Sequence, residues 1–198
     1  MKRLNAGCGS VKPSDWENAD LRDAYISIDF LHPDFLYGKI AGRFATAPAL
    51  PEREVIIMEE RYDVIVANHL LSCFAHHDLL GSVLPNLRKM LRPGGVLRIL
   101  VPDAEKAIRA YMAGDTEWFP LGVDLPDIGE RLCTYLPWFG ESKSIFVYEY
   151  LRGLLRDSGF ISVTPALECG QSLYAPTEWE AGSLDDRCRM SLIVEALK

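Results

Sequence analysis

Hydrophobic and polar positions follow two periods along the chain, and the switches between them predict the order of elements. Residues 3–6 form a short apolar run cut off by glycines, while 25–30 (YISIDF) and 62–67 (YDVIVA) are β-rich over a strand's length. From 76 to 91, Leu79, Leu80, Val83, Leu84, Leu87, Met90 and Leu91 recur at spacings of three and four, and Arg92-Pro93-Gly94-Gly95 ends the run. That pattern predicts an amphipathic helix followed by a turn. Residues 96–101 (VLRILV) read as a strand, closed by Pro102-Asp103 where a helix over roughly 104–112 begins. Helix, turn, strand, turn and helix in succession is the rhythm of a parallel sheet.

Residues 114–147 follow neither period and concentrate Trp118, Phe119, Tyr135, Trp138, Phe139 and Phe146. A second amphipathic helix over 149–158, stopped by Gly159, leads to a strand over 160–167, and 190–197 (MSLIVEAL) form a final strand. Two strands joined without a helix should be antiparallel. The stretch 32–60 is irregular, with Val55-Ile56-Ile57-Met58 as one more candidate strand. No repeat or linker divides the 198 residues, so one domain over 1–198 is expected, with 104–150 as a cap.

Apolar residues at 48% and charged residues at 25% exclude a disordered or fibrous chain. A net charge of −7 argues against a nucleic-acid partner, which needs a basic face, and favours small-molecule chemistry. The five cysteines are scattered and never form C-x-x-C, so neither a disulfide framework nor a zinc site is expected. No metal ligand set is legible either. With no apolar leader and no run of membrane-spanning length, the expected location is the cytoplasm, with no membrane partner. The exposed edge of the sheet is a candidate homodimer surface.

Candidate chemistry begins at Leu4-Asn5-Ala6-Gly7-Cys8-Gly9-Ser10, two glycines directly after a strand. Glycine permits a sharp turn and close approach of a ligand to main chain, although such a turn also serves purely structural ends. A dinucleotide site would require a third glycine where Lys12 stands, so a nicotinamide oxidoreductase loses ground. S-adenosylmethionine lacks a pyrophosphate and has less need of that glycine. Its carboxylate could meet backbone N–H groups, and its ribose diol an acid, for which Asp20 and Asp29 are available.

Together with residues 16–20 (WENAD), Ile28-Asp29, 62–71 (YDVIVANHLL) and 87–103 (LRKMLRPGGVLRILVPD), these blocks resemble the successive motifs of class I S-adenosylmethionine-dependent methyltransferases. They are most similar to a branch of small bacterial members. The resemblance resumes at 154–160 (LLRDSGF) and 184–198 (LDDRCRMSLIVEALK). It implies an α/β, Rossmann-like, seven-stranded, mostly parallel sheet with an antiparallel last strand and helices on both faces. It also implies that Asn5, Ala6, Gly7 and Gly9 line the methionine end of S-adenosyl-L-methionine, with Asp20 on the ribose and Asp29 near the adenine. An alternative threading makes 14–24 a helix and Asp29 the ribose acid.

Ala67, Asn68 and His69 follow the strand over 62–67, at the end the family places beside the transferable methyl group. Methyl transfer from a sulfonium asks for in-line positioning and, for an oxygen acceptor, a base; His69 titrates in the right range. It is the candidate catalytic residue. Where relatives carry Glu-His this chain has Ser72-Cys73, and His76 and His77 are the available substitutes. The acceptor is expected to be a small molecule or glycan, met by the aromatic cap with Arg131, Asp124 and Asp127, although such aromatics also serve simply to pack. The competing reading is a catalytically silent binding or partner protein of the same fold.

Overall fold

The computed structural model describes residues 1–8, 11–20, 26–27, 37–40, 55–57, 59–119, 125–166, 170–172, 174 and 187–198. Their strands are β1 (Arg3–Ala6), β2 (Glu17–Asp20), β3 (Ile26–Ser27), β4 (Tyr37–Ile40), β5 (Val55–Ile57), β6 (Tyr62–Asn68), β7 (Leu91–Pro102), β8 (Ser162–Pro165) and β9 (Ser191–Leu197). They form one mixed sheet in the order β5-β4-β3-β2-β1-β6-β7-β9-β8. The expected seven strands become nine, because Tyr37–Ile40 and Val55–Ile57 pair antiparallel beyond β3. The sheet is also less parallel than expected. Parallel pairing is confined to β3-β2-β1-β6-β7, and β9 runs antiparallel to both β7 and β8.

Alternation along the central strands sends successive side chains to opposite faces. Leu4, Ala6, Ile65, Ala67, Leu97, Ile99 and Val194 belong to the main core, covered by Leu79 and Val83, α2 (Leu84–Met90) and α5 (Tyr148–Asp157), whereas α1 (His76–Asp78) buries no side chain. Val64, Val66, Val96, Leu100 and Ile193 face the other way, against Trp16, Ala166 and Tyr174. Helices on both faces were the expectation; among the described residues those that pack on the sheet lie on one face. On the second face Arg98 and Glu195, paired in register, form a buried ion pair at 3.0 Å.

The predicted long helix is present but interrupted. Between α1 and α2, residues Leu79–Val83 widen into a π turn in which the Leu84 amide donates to Leu79 O. Pro85, in the next turn, lacks an N–H and crowds the carbonyl four residues back, which this widening relieves. α3 (Ala104–Ala113) starts at Asp103, whose carboxylate accepts from the Glu105 and Lys106 amides at 3.0 and 3.2 Å. The stretch 114–147, read as irregular, contains α4 (Ile128–Tyr135), capped by Asp127 in the same way. Last comes α6 (Arg187–Met190). Its Cys188 is disulfide-bonded to a partner outside the described residues, against the expectation drawn from scattered cysteines.

Candidate functional site

From β1 the chain goes to β2 on one side, and β6 leads to β7 on the other, so the strand order reverses between β1 and β6. Ligands of open α/β sheets bind at the carboxyl end of such a reversal. Register fixes which residues meet there. Ala19, Ala6 and Ala67 are aligned across β2, β1 and β6, and the next residues of those strands are Asp20, Gly7 and Asn68. The sequence candidates Asn5, Ala6, Gly7, Asp20, Ala67, Asn68 and His69 therefore gather on one sheet edge. Gly9 and Asp29 lie outside the described residues. Because Glu17–Asp20 is a strand, the threading that made 14–24 a helix fails.

Main chain contributes less than expected. The Gly7 and Cys8 amides both donate to Ala19 O, at 2.8 and 3.1 Å, so neither is offered to a ligand carboxylate. Gly7 adopts φ 68°, and the Leu70 side chain lies against it. Asn5 is 1% exposed; its amide nitrogen donates to Val11 O at 2.9 Å and Asn18 Oδ1 at 3.3 Å. Its Oδ1 and that of Asn68 are buried and have no hydrogen-bond partner among the described residues. Both residues alternate with main-core positions and so point to the same sheet face.

Charge in the crevice centres on Asp20. Burial pushes the Cys8 thiol up to about 11, and the Asp20 charge adds to it while Lys12 opposes it. Cys73 is raised by burial too, with Glu141 and Asp20 adding and Ser72 and Lys143 opposing. One carboxylate thus acts on thiols from both the β1 turn and the turn after β6, and neither thiol is a thiolate nucleophile near neutral pH.

His69 follows β6 with φ 56°, its amide donating to Leu100 O at 2.8 Å. Its Nε2 lies 2.9 Å from Ser191 Oγ, a contact with a residue far along the sequence that no local pattern announces. Trp138 meets the imidazole edge-on, with centroids 5.5 Å apart. Neither substitute histidine joins the group: His76 Nδ1 is 2.8 Å from the Tyr150 hydroxyl, and the His77 side chain is 83% exposed beside Asp78.

The cap is tied down over this edge. Lys143 and Ser144 amides donate to Ser72 O at 2.7 and 3.3 Å, and Ser144 Oγ donates to Phe74 O at 2.7 Å. The Ser72 and Phe74 carbonyls are thereby the seat for the cap. Trp118, Phe119, Tyr135 and Trp138 pack edge-to-face with one another, and Arg131 donates to Leu125 O and Thr116 O. With Asp127 capping α4, these cap residues are held by structure; Asp124 lies outside the described residues.

No family model and no curated protein matches the sequence. Solved structures do match. An S-adenosylmethionine-dependent methyltransferase from Thermotoga maritima is similar over 100% of this chain and 82% of its own, at 15% identity and a TM-score of 0.50. The methyltransferase SibL is similar over 100% of this chain and 50% of its own, at 13% identity and a TM-score of 0.52, so this chain spans half its length. The fold is that of class I S-adenosylmethionine-dependent methyltransferases. A Pyrococcus horikoshii protein shares it at 12% identity and a TM-score of 0.50, over 99% of this chain and 81% of its own.

The residues at this edge of the methyltransferase fold suit that cofactor in donor and acceptor terms. Two buried amide oxygens lacking donors, Asn5 Oδ1 and Asn68 Oδ1, match an ammonium, and the Asp20 carboxylate matches a pair of vicinal hydroxyls. Among the described residues no His, Cys, Asp or Glu group is arranged to hold a metal, and no helix is long and apolar enough to cross a membrane.

Proposed function

We propose that this chain is an S-adenosylmethionine-dependent methyltransferase acting on a small-molecule or glycan acceptor. The observation that carries the reading is the set of unmet acceptors at the strand reversal: Asn5 Oδ1 and Asn68 Oδ1, with Asp20 one strand away. Asn5, Ala6 and Gly7 take the amino-acid end, Asp20 the ribose, and Ala67 and Asn68 the region of the methyl group. Gly9 and Asp29 complete the cofactor contacts implied by the family. The cofactor supplies an activated methyl group on a sulfonium. What remains for the protein is to hold an acceptor in line, exclude water and accept a proton, the last assigned to His69. Reaction of this kind on a small acceptor fits the net charge of −7.

Binding of S-adenosylhomocysteine tests the first half. At 100 times its Kd, a ligand stabilises the folded state by about 2.7 kcal/mol, roughly 5–11 °C in Tm for a domain of this size. The expected result is a shift with S-adenosylhomocysteine and none with NAD. Asp20→Ala should abolish it; an unchanged shift in that variant would reject Asp20 as the ribose ligand. A hydrolase-coupled homocysteine assay across an acceptor panel tests turnover.

A further inference from the structure

Asn68 is the last residue of β6, and the left-handed turn at His69 follows directly. On the second sheet face its neighbours are its register partner Leu100, 2% exposed, and Val66, 0% exposed. An amide oxygen buried beside such apolar groups without a donor is costly, and the same low-dielectric surroundings strengthen its attraction for a positive charge. Asn5 Oδ1 is in the same condition one strand away. Asn5 is aligned with Val66, so Asn68 stands two residues further along the neighbouring strand. Strands about 4.8 Å apart that rise about 3.3 Å per residue separate the two positions by about 8 Å, and strand side chains stand roughly perpendicular to the sheet. Either oxygen matches an ammonium, but an ammonium hydrogen-bonded to Asn5 Oδ1 lies beyond the reach of Asn68 Oδ1. Two unmet oxygens so spaced require two positive centres.

We propose that Asn68 is a specificity-determining residue that faces the cofactor's sulfonium through Oδ1 and favours S-adenosylmethionine over S-adenosylhomocysteine. This rests on the methyltransferase reading, with the amino-acid end at Asn5 and the methyl group's region at Asn68. S-adenosylmethionine carries two positive centres, an ammonium and a sulfonium, with three carbons between nitrogen and sulfur. S-adenosylhomocysteine keeps the ammonium and has a neutral thioether in place of the sulfonium. Asn5 Oδ1 therefore meets the same group in both ligands, whereas Asn68 Oδ1 gains a charged partner in one and is left unmet in the other. Turning the Asn68 amide over would present N–H groups to a cation, so the sulfonium itself keeps the oxygen end inward. The consequence is a site that holds the methyl donor and loosens once the methyl group has left.

Titration calorimetry of the whole protein with each ligand tests this through the ratio of dissociation constants, S-adenosylhomocysteine over S-adenosylmethionine. Asn68→Leu should lower that ratio about tenfold relative to wild type, the scale of one hydrogen bond to a charged group. Asn68→Asp, isosteric and charged, should raise it. Asn5→Ala should weaken both ligands alike and leave the ratio where it was. A merely structural role for Asn68 would also weaken both ligands equally, so an unchanged ratio in Asn68→Leu overturns the proposal. An unchanged or lower ratio in Asn68→Asp overturns it independently, whether or not the leucine variant folds. A ratio that follows Asn5 instead of Asn68 overturns the assignment as well. Failure of wild type to bind either ligand would instead reject the methyltransferase reading, so the two failures are distinguishable.

Discussion

A Cβ on Gly7 would lie 2.8 Å from Leu70 Cδ1 and 3.0 Å from Leu70 Cβ, on a backbone at φ 68°. Gly7→Ala should therefore destabilise the protein by about 1–2 kcal/mol from the left-handed conformation alone, with the steric conflict added. Urea denaturation of Gly7→Ala, Leu70→Ala and the double variant separates the two parts. The double variant should recover the part of the steric share due to Leu70 Cγ and Cδ1, and keep both the Cβ contact and the conformational share. A sharp turn at this glycine was readable from G-x-G after a strand. Its occupation by Leu70 was not, because that contact arises from the adjacency of β1 and β6, which lie far apart in sequence. The place of Asp20 at a strand end was likewise readable from its block, whereas the saturation of the Gly7 and Cys8 amides by Ala19 O depends on how β2 docks.

Elements with a strong period or a terminating signal were legible, and those built by caps and pairing were not. The strands at β1, β6 and β9 follow their hydrophobic patterns, whereas the helix over 76–91 is broken by the π turn and β7 starts at Leu91, taking in the 92–95 stretch read as a turn. α4 escaped notice because 114–147 carries aromatics at no single spacing, yet Asp127 followed three residues later by Glu130 is a usable start signal. Asp127→Ala should lower stability by about 1 kcal/mol, the usual worth of a cap, and leave the S-adenosylhomocysteine shift intact. A loss of binding without loss of stability would restore Asp127 as a ligand contact. β4 was missed because Tyr37-Gly38-Lys39-Ile40 neither alternates cleanly nor has strong β-formers throughout; its partners β3 and β5 make it a strand.

Across the whole molecule, charge opposes the site from the far end of the sheet. Glu17 accepts from Arg61 Nη2 at 2.8 Å and from the Tyr62 hydroxyl at 2.7 Å, and Asp63 pairs with Arg92 at 3.1 Å and accepts from the Lys2 amide. Burial works to raise Glu17, but the Arg61 and Tyr62 hydrogen bonds and the Arg61 and Lys2 charges hold it below 4.5. Asp63 sits below 3.8, chiefly through the Lys2 amide, with Arg92 adding. Both carboxylates are depressed in the folded state, so their contribution is present above the unfolded values and is lost as pH falls through the folded ones. Tm should decline as pH is lowered through and below 4.5, and Glu17→Gln should flatten that decline; a parallel decline in the variant would remove Glu17 from the account. The overall α/β plan was legible because local periods dictate it, and the strand count was not, because β4, which no local pattern marks, joins the candidate strand at 55–57 to the edge. One covalent feature also escaped the reading. Cys188, just ahead of β9, is disulfide-bonded, so its thiol should escape alkylation in unreduced protein and take the label once a reductant is added.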